Sequence, residues 1–150
     1  MRAGTAAIPR RALLACEPFG ARLDAASVAQ AIASGLTAAG QPEPDRLSLP
    51  AGVDDHGTAE LLDREGFHAR MRAARAVVLA VRALSERTLG GSSAFEIATL
   101  ARQSGVPCYA IAADAELNAF DLRMLDLQIV LSARGEAGLR RAGARLAELI

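Results

Sequence analysis

The chain contains no lysine; all 17 of its basic residues are arginine. This removes every mechanism that needs an ε-amine, including a P-loop lysine and a Schiff base. Tryptophan is absent and tyrosine occurs once, at Tyr109, so little is available to stack a flat cofactor. The formal net charge is zero, which gives no general attraction to nucleic acid or to a membrane surface. No apolar run is long enough to span a bilayer. The first residues, MRAGTAAIPRR, lack the continuous apolar segment of a secretory signal. Cys16 and Cys108 both lie in apolar runs and read as core thiols in a reducing cytoplasm.

What is present is an alternation of short apolar runs and helical stripes. Residues 1–10 read as a leader and residues 11–150 as one domain, large enough to bury a real core. The clearest unit spans residues 76–113. Residues 77–81, VVLAV, are a continuous apolar run of the kind found in a parallel strand buried on both faces. A polar segment with Gly90-Gly91 follows, then a helix from about Ser93 to Ser104, then Gly105, Pro107 and a second apolar run at residues 108–112. The helix start fits a capping box, with the Ser93 oxygen taking one free N–H and Glu96 reaching back for another.

The rest of the chain repeats this grammar. Residues 11–16 read as a first strand and Glu17-Pro18-Phe19-Gly20 as the loop at its C-terminal end. A helix follows, capped by Asp24, with Val28, Ile32 and Leu36 as its stripe and Gly40 and Pro42 as its stop. Residues 46–49 form a short edge strand, and residues 50–57, PAGVDDHG, a loop. A helix from Thr58 carries Leu61 and Leu62, breaks at Gly66 and resumes over residues 67–75. Arg64, Arg70, Arg72 and Arg75 read there as a solvated face. Asn118 caps a short helix ending at Leu125, with Asp121 in its first turn. A fifth strand covers residues 127–131, and a last helix runs from Glu136 to Leu149 with the stripe Leu139, Ala142, Leu146.

Five strands alternating with helices predict a three-layer α/β sandwich around a parallel sheet. Right-handed crossovers at this length favour the flavodoxin-like order 2-1-3-4-5. In that order Cys16 and Cys108 lie on non-adjacent strands, too far apart to bridge. A flavin-binding member of this fold class would need stacking aromatics. A phospho-receiver would need an acidic cluster after the first strand, an aspartate after the third and a lysine after the fifth. The chain supplies neither set.

A third comparison fits better. Glu17-Pro18-Phe19-Gly20-Ala21 and DAASVAQAI at residues 24–32 stand where one family has a DSFKG-like loop and S-x-x-E-V-A-x-A-I. PAGVDDHGT at residues 50–58 stands where it has P-x-A-D-G-G-E-G-T. Arg87-Thr88-Leu89-Gly90-Gly91, the following helix and Gly105-Val106-Pro107-Cys108 keep its later frame. In these respects the chain resembles the flavodoxin-like domain of the bacterial glycerate kinases that have no P-loop. The resemblance implies an α/β fold and a cleft at the C-terminal ends of the strands. It also implies ATP and magnesium as cofactors if kinase activity is retained.

The departures bear on the chemistry. The second α/β domain inserted in the family has no counterpart here. Gly20 stands for the loop lysine and Glu17 for its aspartate. Val53 and His56 stand for the acids of the second motif, Ser85 for a later aspartate and Ser92 for a lysine. Phosphoryl transfer rests on positioning, cations and metal-binding carboxylates, so these changes predict a domain without ordinary kinase activity. The expected remnant is a small-anion or hydroxy-acid site built from Glu17, Gly20, Arg82, Arg87, Thr88, Gly90, Gly91, Ser92 and Ser93, or a surface for a partner protein. Asp54 and Asp55 are the candidate ligands for a divalent metal. Two rivals are a kinase completed by a second subunit and a ligand-free module that forms homodimers.

Overall fold

The computed structural model describes residues 10–51, 55–85 and 92–150, with residues 55 and 56 described as backbone only. Strands β1 (Leu13–Cys16), β2 (Asp45–Ser48), β3 (Val77–Leu84), β4 (Cys108–Ala115) and β5 (Leu127–Ser132) form one all-parallel sheet. Their order is β2-β1-β3-β4-β5, so the architecture is the flavodoxin-like sandwich expected from the alternation. The helices are α1 (Ala25–Ala38), α2 (Asp55–Arg64), α3 (Phe67–Ala73), α4 (Ser93–Gln103), α5 (Ala119–Leu125) and α6 (Gly135–Ala147). Among the described residues, no helix is long and apolar enough to cross a membrane.

The pleat of the sheet sorts the core into two layers, because successive side chains point to opposite faces. Leu13, Val77, Leu79, Val81 and Ala110 face Leu62, Phe67, Met71, Ile97 and Leu125 from α2 to α5. Leu14, Val78, Ala80 and Ile111 face Val28, Ile32 and Leu36 of α1 and Leu139, Ala142 and Leu146 of α6. Cys108 belongs to the first layer and Cys16 to the second. The two thiols are free and buried. Burial raises each thiol pKa to about 12, so both stay protonated and unreactive at neutral pH.

Helices α1 and α6 share one face and meet backbone to backbone. A Cβ placed on Gly35 would lie 2.0 Å from the Arg140 carbonyl oxygen, and one on Gly143 would lie 2.2 Å from that of Ile32. Only glycine at both positions permits this approach.

Several boundaries differ from the sequence-based expectation. Strands β3 and β4 run on to Leu84 and Ala115, past the end of their apolar runs. Their ladder continues through Ala83↔Asp114 and Leu84↔Ala115, since main-chain pairing does not require an apolar side chain. Helix α2 starts at Asp55, three residues before Thr58, so the segment expected to be loop is helical at its end. Gly57, expected to end that loop, sits inside this helix, and Thr58 beside it is buried. The arginine face is not wholly solvated either. Arg70 Nε and Nη2 donate to both oxygens of Asp45 at 2.9 Å, and Nη2 also donates to the Arg46 carbonyl at 2.7 Å. This bidentate pair ties α3 to the edge strand β2. Arg75 donates to the Ile150 carbonyl at 3.0 Å, while Arg64 and Arg72 are exposed.

Candidate functional site

In an open parallel sheet, ligands bind beyond the C-terminal ends of the strands, above all where strand order reverses. Here that point lies between β1 and β3. Glu17 follows β1 directly. Its backbone N–H donates to the Ala80 carbonyl at 2.8 Å, and its carboxylate accepts from the backbone N–H of Arg82. Burial raises the Glu17 pKa above the ordinary glutamate value, and the Arg82 N–H partly offsets this. A raised pKa favours the protonated form in the folded state, so Glu17 costs stability once pH rises through its folded pKa. Glu17→Gln is therefore expected to raise Tm at neutral pH and to match the parent in acid, below the ordinary glutamate pKa. Thermal melts across pH check this.

The helix starts at Ser93 as expected, but the cap expected at Ser93 lies one residue earlier. Ser92 is the N-cap of α4, and its Oγ accepts from Phe95 N at 3.1 Å. Ser93 is the first helical residue and is buried, its Oγ 3.1 Å from Thr58 Oγ1. Either serine could cap in sequence; the buried hydroxyl of Thr58 decides between them by giving Ser93 a partner inside the core. Thr58→Val is expected to cost about 1–3 kcal/mol, because it removes the partner of a buried hydroxyl. The double variant Thr58→Val/Ser93→Ala should cost less than the two singles summed, as measured by urea unfolding.

Among the described members of the expected constellation, Arg82 does not join Ser92 and Ser93. Arg82 is exposed within β3, and the ladder sets it beside Ala113, between Val81↔Ala112 and Ala83↔Asp114. That is the α6 side of the sheet, away from Ser92, Ser93 and α4. Gly20 has φ +118°, a turn conformation with nothing within 4 Å of a Cβ. Arg87, Thr88, Gly90, Gly91 and Asp54 lie outside the described residues, as do the side chains of Asp55 and His56. Among the described residues, no three Asp, Glu, His or Cys side chains converge to hold a metal ion.

A cleft of about 470 Å³ lies instead between α6 and the outer strands, within the usual size of a small-ligand site. Ala113, Leu131, Ala133 and Ala142 give it an apolar floor, and Arg134, Arg141 and Arg145 line its rim. It forms because β5 is an edge strand whose apolar residues are only half-buried, in contrast to the fully buried β1. Arg141 and Arg145 stand one helical turn apart on α6, and Arg134 is its N-cap residue. Arg134 pairs with Asp114, and Arg145 Nη1 pairs with Glu148 Oε2 at 2.9 Å. Among the described residues, Arg141 has no carboxylate partner. Three guanidiniums against two carboxylates leave the rim positive. The sequence carries part of this signal in the i,i+4 spacing of Arg141 and Arg145, which alone reads as a solvated helix face.

Comparison of the chain with known family models and with curated proteins finds no match to either. The fold and the cleft thus define a flavodoxin-like α/β domain with a cationic pocket at its sheet edge.

Proposed function

We propose that this chain is a glycerate-kinase-like domain without phosphoryl-transfer activity that binds a small anion carrying an apolar body. The observation that carries the reading is the rim of Arg134, Arg141 and Arg145 over the apolar floor of the α6 cleft. Guanidinium groups match carboxylate and phosphate oxygens through paired N–H donors. The apolar floor adds attraction for a hydrocarbon portion of the ligand. Loss of kinase chemistry follows from the motif positions, where Gly20, Val53, His56, Ser85 and Ser92 replace cations and acids. Each such replacement removes on the order of 10²–10³ in rate when the lost group stabilises the transition state. The two buried free thiols suit a reducing compartment, and on that ground we assign the chain to the cytoplasm.

A thermal-shift screen with inorganic phosphate, sulfate, glycerate, phenyl phosphate and ATP–Mg²⁺ tests this, run beside an ADP-release assay. A ligand present at 100 times its Kd stabilises by about 2.7 kcal/mol, a shift of several degrees in Tm. The expected result is stabilisation by the anions, largest for phenyl phosphate, with no glycerate-dependent ADP. No shift with any anion would remove the binding function. ADP formation dependent on glycerate would show a working kinase.

A further inference from the structure

We infer that the groove between α4 and α5 docks a partner protein that presents an acidic amphipathic segment. Among the described residues, two large apolar side chains are left exposed, Phe120 at 63% and Met124 at 50%. They stand four residues apart on α5 and so share one face. With Phe95 of α4 they line a groove of about 510 Å³. Scattered apolar residues on a surface need no explanation, but a contiguous patch in a groove marks an interaction site. The adjacent face of α5 already supplies Leu125 and Asp121 to the interior, so the exposure of Phe120 and Met124 is not needed to fold the helix. Aromatic residues, methionine and arginine are also the types enriched in protein interfaces.

The rim identifies the occupant. Arg102 and Arg123 flank the patch, and among the described residues neither has a carboxylate partner. A second copy docked face to face would gather four guanidiniums around one apolar patch, where like charges oppose association. A segment with acidic residues beside an apolar stripe neutralises the rim and fills the groove. A groove between two helices suits such a segment as a helix, read through anchors at i, i+3 or i+4. This site shares no residue with the α6 cleft, and its test does not depend on anion binding.

The probe is a random library of helical peptides displayed on phage, panned on the full chain with counter-selection on Phe120→Ser/Met124→Ser. These side chains are exposed, so the variant is expected to fold, and its melting curve checks that. Enriched peptides should carry Asp and Glu around an apolar i,i+4 pair. A synthetic peptide of that type should bind the serine variant about tenfold or more weakly, and Arg102→Glu/Arg123→Glu should reverse the preference toward a lysine version. Enrichment of neutral or basic peptides, no enrichment, or equal binding to the serine variant would overturn the inference. So would a concentration-dependent mass by light scattering that disappears in the serine variant, which would make a second copy the occupant.

Discussion

Gly35→Ala and Gly143→Ala are each expected to destabilise the protein by about 3 kcal/mol, the upper part of the usual overpacking range. Helix propensity alone argues the other way, since alanine in a helix interior is favoured over glycine by about 1 kcal/mol. Geometry decides the sign. The added methyl carbon would lie 2.0 Å from the Arg140 oxygen in one case and 2.2 Å from the Ile32 oxygen in the other. Both obstacles are backbone atoms of a packed helix, which cannot swing aside as a side chain can. Relief requires α1 and α6 to separate, which loosens the Ile32, Leu36, Leu139 and Leu146 layer. For a chain of this length, Tm should fall by roughly 6–12 °C. The double variant should cost less than the sum, because one separation relieves both clashes. Gly138→Ala is the control. Its nearest neighbours lie at 3.7 and 3.8 Å, so it should leave stability unchanged or raise it by up to about 1 kcal/mol. An unchanged Tm for Gly35→Ala would mean that the two helices do not meet as described.

Arg141→Ala is expected to weaken phenyl phosphate binding about tenfold, the loss associated with one hydrogen bond to a charged group. Arg134→Ala and Arg145→Ala should each have a smaller effect. Their guanidiniums are already engaged by Asp114 and Glu148, and turning to a ligand breaks those pairs. The double variant Arg141→Ala/Arg145→Ala should reduce binding more than either single. Arg141→Lys should recover only part of it, since a point charge replaces a two-pronged donor. All three arginines are exposed, so melting temperatures should stay near the parent value and affinity should fall with added salt. Isothermal titration on the variant set checks the order.

The layout of the fold was legible because it rests on periodicity. Apolar runs at residues 77–81 and 108–112, the stripes of α1 and α6 and the caps at Asp24 and Asn118 all stand in their expected places. Boundaries were less legible. Ser92 and Ser93 are chemically equivalent as caps, and the choice was made by Thr58, thirty-five residues away in sequence. Arg70 looked like its solvated neighbours until β2 brought Asp45 beside it. The α6 cleft was legible least of all. It depends on an edge strand left half-uncovered and on an N-cap residue joining two residues of the helix it starts. No local pattern marks that conjunction. The α4–α5 patch is similar, because only the packing shows that Phe120 and Met124 face outward.

The proposed anion site is the α6 cleft rather than the Gly-Ser loop before α4. The most direct test is a phenyl phosphate titration followed by amide ¹H–¹⁵N spectra. The largest shifts are expected at Ala113, at Leu131 to Arg134 and along α6 from Gly138 to Arg145, and they should vanish in Arg141→Ala/Arg145→Ala. Shifts concentrated at Glu17 and Ser92 to Glu96 that survive this double substitution would contradict it.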